Sequence, residues 1–362
     1  MKAWLPPKDP GCCISHFGNM QQICGIRRSI LMDGKAAGVE AAELCTGGGL
    51  TFTVLPGRGM DIANCSYRGV PVSYISKTGI CGPSYYDSHN NNWLKNFFAG
   101  MITTCGISNA GPECTDFHPT FGEVQYGLHG DISNTGADQV GIWEDWTPEG
   151  YQMEVTGRVS EGRLHGEHLR LRRRVVAFLG EKRFFITDEY RNEGNLPEPL
   201  MFFYHINIGY PILSEGSRFL SKSKKVWAVS EAAKAGISEY DLCHEPLPGG
   251  TEQQFFHELY TDQEGKTILA LVNDQLELGF YLKYSPEQMP CVSQWKVGRD
   301  GEYVFAFEPG NCHPIGRAEQ RKRGLLEVLE PMETHLVEME FGIADGAREI
   351  EELRKTVSSL EN

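Results

Sequence analysis

Short segments in which apolar and polar residues alternate run along most of the chain, and they constrain its fold more than any other feature. Residues 50–55 alternate in this way and end at Pro56-Gly57, and residues 168–172 place leucines on one face and basic side chains on the other. A period of two is typical of a strand with one buried face, because successive side chains point to opposite sides of a sheet. Similar strand patterns occur at 155–159, 184–190, 267–272, 276–284, 303–307, 325–329 and 337–341. The sequence therefore predicts an all-β fold built as a large antiparallel sandwich.

Helical patterns are few and short. Residues 347–360 repeat apolar side chains at helical spacing on a charged segment and predict a C-terminal helix, and residues 92–98 favour a second, shorter one. A length of 362 residues would allow two domains, but no linker and no internal repeat divides the chain. We expect an N-terminal arm at 1–24, one β-sandwich domain at 25–342 and a C-terminal helix at 343–362.

Charge and cysteine usage exclude several classes of protein. The net charge is −14, from 34 basic and 48 acidic residues, whereas a nucleic-acid-binding surface needs concentrated positive charge. The eleven cysteines are odd in number and scattered without a Cys-x-x-Cys pair, which indicates free thiols and no zinc site of that kind. No apolar run is long enough to span a bilayer, and the N-terminus lacks the apolar core of a signal peptide. We expect a cytoplasmic protein with no nucleic-acid or membrane partner.

His205 lies inside a strongly apolar segment, and its position within a strand can be assigned by parity. Phe202, Tyr204 and Ile206 would share one wholly apolar or aromatic face, whereas the opposite face becomes polar at His205 and Asn207. A histidine bonded to neighbouring backbone and a histidine that faces a ligand both fit this pattern. Since two polar residues share the face, we take His205 as a candidate catalytic residue and Asn207 as a candidate substrate-binding residue.

Two further residues could join His205 in proton transfer. His129 stands before Gly130, in a bend where glycine allows the backbone to approach a ligand closely. Glu308 follows an apolar strand pattern and precedes a proline, which places its carboxylate at the end of a strand. Glu330 shows how unspecific a Glu-Pro pair is, since it follows a similar run but leads into an ordinary hairpin. Glu308 leads instead into a polar loop that contains Asn311, a further candidate for substrate binding.

The remaining candidates are binding residues. Arg58 is flanked by glycines and could hold a sugar hydroxyl or form an ion pair, and Gln294 and Trp295 offer an amide and a flat apolar ring. His118, Glu123 and His129 match no strong metal-ligand spacing, so we predict no metal. The three arginines 172–174 are expected to form a solvated strand face.

These residues, in this order, resemble the aldose 1-epimerase (galactose mutarotase-like) superfamily, and most closely a branch of it described only as a domain of unknown function. The resemblance extends roughly over residues 25–342. The segments that carry it are 55–62, 98–101 with 104–106, 126–131, 204–211, 294–296, 308–311 and 329–334. It implies a β-supersandwich in which Glu308 matches the family's catalytic base, His205 its acid and His129 its second substrate-binding histidine. One departure is that the family's usual Asn-x-His context before the acid histidine is absent, and Tyr204-His205-Ile206-Asn207 stands there instead.

The resemblance implies an isomerase that interconverts sugar anomers by acid–base ring opening, with a monosaccharide or sugar derivative as substrate and without a cofactor. The same groups could instead epimerise, isomerise or eliminate at a carbon next to a carbonyl. A noncatalytic carbohydrate-binding protein on the same fold is a third hypothesis. A homodimer is compatible with each of them.

Overall fold

The computed structural model describes residues 4–361, and most of the regular structure is strand. In chain order the strands are β1 (Gly25–Ile30), β2 (Glu40–Cys45), β3 (Leu50–Leu55), β4 (Asp61–Tyr67), β5 (Val70–Pro71), β6 (Tyr74–Ile75), β7 (Ala99–Gly100), β8 (Thr103–Ile107), β9 (Cys114–His118), β10 (Gly122–Tyr126), β11 (Asp138–Thr147), β12 (Gly150–Gly162), β13 (His168–Phe178), β14 (Arg183–Asn192), β15 (Glu198–Ile208), β16 (Arg218–Leu220), β17 (Ser223–Ala228), β18 (Glu252–Leu259), β19 (Thr267–Asn273), β20 (Leu278–Tyr284), β21 (Cys291–Arg299), β22 (Glu302–Gly310), β23 (Glu327–Leu329) and β24 (Thr334–Asp345).

The helices are short, and α4 is the longest of those described. They are α1 (Pro10–His16), α2 (Glu231–Ala235), α3 (Arg317–Lys322) and α4 (Ala347–Ser358), with 3₁₀ turns at Met20–Gln22, Gly34–Ala36, Pro83–Tyr85, Asn92–Lys95, Ile132–Asn134 and Ile237–Glu239. The predicted C-terminal helix is confirmed as α4, which buries Ile350 and Val357, while the predicted helix at 92–98 is a single 3₁₀ turn. Within residues 4–361 no helix combines the length and the apolar character needed to cross a membrane.

Three antiparallel sheets form the body of the protein. The back sheet has the order β11-β12-β13-β14-β24-β20-β19-β16, and the N-terminal sheet runs β1 to β5 in sequence. The front sheet has the order β17-β18-β21-β22-β15-β23, with β8 also paired to β15. The predicted all-β sandwich is therefore confirmed, with two-stranded ribbons β9–β10 and β6–β7 beside the large sheets.

One hydrophobic core joins the three sheets. On the back sheet, Phe184 stacks on Phe52 of the N-terminal sheet with ring centroids 4.4 Å apart, and Tyr190 stacks on Phe202 of the front sheet at 4.2 Å. Tyr204 lies in the same core cluster as Phe202, as the parity of β15 predicted. The front sheet thus packs one face on the core, and its other face is available for a ligand.

Arg173 is fully buried, which corrects the expectation that all three arginines of β13 are solvated. It shares the inward parity of Leu171, whereas Arg172 and Arg174 point outward. Its guanidinium donates two hydrogen bonds to Asp188, at 2.9 and 2.6 Å. A buried guanidinium needs such a partner, because an unpaired internal charge is strongly destabilising.

Candidate active site

A cavity of about 740 Å³ opens on the outer face of the front sheet. Its floor comes from strands β15, β18, β21 and β22, and its walls come from residues 74–78 and 91–97 together with the loop that carries His129. The described lining residues include His129, Phe203, His205, Glu252, Gln254, Trp295, Val297, Arg299, Glu302, Val304 and Glu308. The cavity therefore gathers side chains from distant parts of the chain around one space.

Neighbouring strands place His205 and Glu308 side by side. The antiparallel register pairs Phe203 with Gly310 and Ile206 with Phe307, so that His205 on β15 stands opposite Glu308 on β22. Nε2 of His205 lies 3.1 Å from Oε1 of Glu308. The two side chains are only 8% and 3% exposed, so the contact is held by two rigid strands and nearly sealed from bulk water.

Burial shifts both groups toward their neutral forms. Desolvation raises the pKa of Glu308 to about 8, and the nearby carboxylate of Glu252 adds to the rise. Desolvation lowers the pKa of His205 to about 3. Both shifts oppose a pre-formed pair of ionised Glu308 and protonated His205, so at neutral pH we assign one proton to the pair as a whole.

The His129 ring has a defined orientation and tautomer. Its Nδ1 accepts a hydrogen bond from the Gly111 backbone N–H at 3.1 Å, so in the neutral ring the proton lies on Nε2. Burial lowers the pKa of His129 to about 3, with a smaller contribution from His205. Trp93 and Phe203 pack edge-on against the ring, at centroid distances of 4.8 and 5.1 Å. His129 is therefore a neutral hydrogen-bond donor rather than a cation.

Aromatic and polar side chains complete the walls. Trp295 meets the His205 ring edge-on at 5.1 Å, and Phe97 lies 4.9 Å from the same ring. The indole N–H of Trp295 donates to Oε1 of Glu252 at 2.8 Å, which fixes the plane of the ring. Phe97 and Glu252 were not among the residues predicted from the sequence. The polar start of β18 is a weak signal for Glu252, but nothing local marks Phe97.

Comparison with known protein families assigns the chain to one of them. The profile described as "Domain of unknown function (DUF4432)" matches residues 36–343.

The chain belongs to the DUF4432 family.

Solved structures show how widely this DUF4432 fold is shared. A putative aldose 1-epimerase from Klebsiella pneumoniae superposes with a TM-score of 0.86 at 23% identity, over 93% of this chain and 88% of that one. A galactose mutarotase-like protein from Clostridium acetobutylicum gives a TM-score of 0.62 at 12% identity, over 90% and 99% of the two chains. A galactose 1-epimerase from Lactobacillus acidophilus gives 0.59 at 13% identity, over 89% and 99%. No curated protein matches the chain. The resemblance to the galactose mutarotase-like fold is thereby confirmed.

Of the eight predicted site residues, His129, His205, Trp295 and Glu308 line the cavity of this DUF4432 member, and Arg58 and Gln294 do not. Arg58 is buried behind the walls, where its guanidinium donates to the backbone carbonyls of Ser133, Cys81 and Asn96. Gln294 points into the core, where Oε1 lies 3.0 Å from Nε2 of His257. Adjacent strand residues face opposite ways, so only one of Gln294 and Trp295 could reach the cavity. The expectation that Arg58 and Gln294 bind substrate is corrected accordingly.

Asn311 and Asn207 also lie outside the cavity lining, which corrects their predicted contact with substrate. The Asn311 side chain accepts from the Phe202 N–H at 2.7 Å and donates to the Leu200 carbonyl at 2.9 Å, so it ties the end of β22 to β15. Asn207 is fully buried, and its amide donates to the His205 carbonyl at 2.8 Å. Both residues stabilise the strand that carries His205.

Across residues 4–361, no group of three or more His, Cys, Asp or Glu side chains is arranged to hold a metal ion. His118 lies outside the cavity that contains His129. Its Nδ1 accepts from the Thr120 N–H, and its Nε2 faces Glu167 at 3.6 Å and Glu198 at 4.0 Å. The eleven cysteines are all free thiols, and most of them are buried.

Proposed function

We propose that this protein interconverts the anomers of an aldose by acid–base ring opening. The observation that carries the proposal is the contact of 3.1 Å between His205 and Glu308 on the floor of a cavity with aromatic walls. An acid and a base must both reach the C1–O1 and ring-oxygen atoms of a sugar, which are neighbours on one ring. The fold shared with proteins described as aldose 1-epimerases supports the same assignment.

Ring opening moves two protons. The carboxylate of Glu308 takes the proton of the C1 hydroxyl, and the electron pair left on O1 forms the carbonyl. The bond from C1 to the ring oxygen breaks, and its electron pair takes the proton from Nε2 of protonated His205. The reactive state is therefore the ion-pair form of the couple, which arises when the shared proton moves from Glu308 to His205.

Ring closure reverses these steps. After opening, Glu308 is protonated and His205 is neutral, which is the form that burial favours. The aldehyde rotates about its C1–C2 bond and is attacked on its other face, while His205 takes the hydroxyl proton and Glu308 returns a proton to O1. No net charge or redox equivalent is consumed. Each general acid or base contributes typically about 10²–10⁴-fold, and such an acceleration suffices for a reaction that also occurs unaided.

The other lining groups orient the sugar. The Nε2–H of His129 can donate to a hydroxyl or to the developing oxyanion. Trp295 offers a flat apolar surface to a pyranose ring, held in place by Glu252. These contacts restrict the substrate to a pose in which the reacting atoms lie over the His205–Glu308 pair.

The test is an NMR survey of free aldoses with the wild-type protein in D₂O. Exchange between the two anomers and deuterium incorporation at carbon are followed in the same samples. We expect faster anomer exchange with at least one aldose and no carbon-bound deuterium, because ring opening breaks no C–H bond.

Two other outcomes would lead to a different functional assignment. Deuterium at the carbon next to the carbonyl would identify an epimerase, isomerase or lyase built from the same residues. Tight binding of a sugar with no acceleration of any reaction would identify a carbohydrate-binding protein and contradict catalysis.

A further inference from the structure

The cavity floor is longer than one sugar ring. It follows the hairpin formed by β21 and β22, whose register runs without a break from the Ser293–Glu308 pair to the Arg299–Glu302 pair. Glu308 and Glu302 are six residues apart on β22, a separation of about 20 Å at the rise of an antiparallel strand. Because the reacting pair lies at one end and Arg299 at the other, a single pyranose at Glu308 cannot contact both.

The volume of the cavity leads to the same conclusion. The twelve non-hydrogen atoms of a hexose would fill roughly 360 Å³ even if each took the space of a water molecule in the liquid. The cavity measures about 740 Å³. A monosaccharide at the reacting pair would leave about half of this space to water.

The surface between the two ends suits further sugar rings. Trp295, Val297 and Val304 follow one another along the floor, but the two valines are only 3% and 1% exposed, so the half-buried indole of Trp295 is the main open apolar surface among them. Beyond it, Arg299 lies 2.6 Å from the carboxylate of Glu302, which also pairs with Lys77. A flat indole followed by charged donors and an acceptor is the kind of surface on which sugar rings stack and bind through their hydroxyls.

We propose that the substrate is the reducing end of a chain of two or more sugar rings, with Trp295 in contact with both the first and the second ring and the following hydroxyls at Arg299, Glu302 and Lys77. This inference rests on the proposed function and names its substrate class. A sugar phosphate fits less well, because its phosphate lies on the reacting ring itself. The cations at the far end also already share the negative charge of Glu302, and Lys95, the third cation of the lining, is exposed on the Asn92–Lys95 turn.

The experiment compares glucose with maltose, cellobiose and lactose, each of which has glucose at its reducing end, by the kcat/KM of anomer exchange. Glucose 6-phosphate serves as the anionic arm. We expect at least one disaccharide to exceed its monosaccharide by about tenfold, which is the effect of one or two added polar contacts, some to charged groups. Dissociation constants of the same sugars, measured on Glu308→Gln, report binding independently of turnover.

Variants at the far end sharpen the comparison. Arg299→Ala and Lys77→Ala should each reduce the preference for the disaccharide, Arg299→Ala by about five- to tenfold. Both side chains are well exposed, so their removal leaves the fold intact. Arg174→Ala is the matched control, since it breaks a cross-strand pair with Glu154 of similar exposure on the back sheet and should change neither rate nor preference.

Equal kcat/KM and equal affinity for monosaccharides and disaccharides would overturn the inference and leave the proposed function standing. A preference for glucose 6-phosphate over every disaccharide would also overturn it. If no sugar is turned over, the proposed function fails. Binding then decides the inference. It is supported if Glu308→Gln binds a disaccharide more tightly than glucose and if adding Arg299→Ala removes that preference, and it is overturned if either result is absent.

Discussion

At the scale of single residues, the chemistry depends on where one proton lies between Glu308 and His205. The neutral pair and the ion pair contain the same number of protons, so pH does not shift the balance between them. Burial favours the neutral pair, and the distance of 3.1 Å allows the proton to cross between the two groups. A substrate whose C1 hydroxyl and ring oxygen hydrogen-bond to the charged forms would favour the ion pair at the moment of reaction.

This arrangement predicts the pH dependence of the reaction. The pKa of about 3 for His205 and about 8 for Glu308 bound the range in which the pair holds one proton. We expect kcat/KM to be constant between about pH 4 and about pH 7 and to fall as the pH rises through about 8, because the pair then loses the proton that the acid must donate. Polarimetric initial rates, corrected for spontaneous exchange, measure the profile. A decline centred near the ordinary histidine pKa of about 6.5 would contradict the shared-proton description.

Parity along the strands explains which site residues could be predicted from the sequence. It placed His205 and Tyr204 on opposite faces of the strand. The structure shows His205 facing the cavity and Tyr204 in the core. The same rule places Arg173 on the inward face of β13 with Leu171 and puts Gln294 and Trp295 on opposite faces of β21, as the structure shows. The signal for these positions is therefore local to each strand.

At the scale of elements, Arg58 connects the loops that wall the cavity. Its guanidinium joins the segments that contain Ser133, Cys81 and Asn96, and its side chain also lies over the Phe98 ring at 5.1 Å. These segments flank His129 and Phe97. Arg58 therefore fixes the positions of two cavity walls relative to each other.

Arg58→Met should destabilise the protein by about 3 kcal/mol, because it leaves buried carbonyls without donors. Chemical denaturation measures the change. The control Arg174→Met breaks an exposed pair with Glu154 and should remain within about 0.5 kcal/mol of wild type. Unchanged stability together with a selectively raised KM would contradict this role and restore Arg58 as a substrate ligand.

Sequence patterns predicted where the strands lie along the chain, but they did not predict which strands pair with each other. The alternating segment 50–55 coincides with β3, and 168–172 lies at the start of β13. The segment 155–159 underestimates β12, which runs from Gly150 to Gly162. Pairing partners such as β14 with β24 are about 150 residues apart in the chain, and no periodicity within either segment specifies that pairing.

At the scale of the whole molecule, the layering of the sheets creates the site. The back sheet covers the inner face of the front sheet, so the front sheet's outer face can remain open between loops. The lining of that face is drawn from positions between Tyr74 and Pro314, and its walls come together only in the folded protein. For this reason the sequence predicted the reacting groups, whereas the aromatic walls and the length of the floor required the structure. The division into an arm at 1–24, a domain at 25–342 and a terminal helix at 343–362 stays a prediction.

The central claim is that Glu308 is the group that makes the protein a catalyst, and comparison of Glu308→Gln with Glu330→Gln tests it most directly. Both residues precede a proline, but Glu308 is buried against His205 and Glu330 is exposed. The measurement is the rate of anomer exchange of an aldose that the wild-type protein accepts, with thermal unfolding as a check on folding. We predict that Glu308→Gln lowers the catalysed rate by about 10²–10⁴-fold while the protein stays folded, and that Glu330→Gln matches wild type. A folded Glu308→Gln protein with wild-type rates would contradict the account.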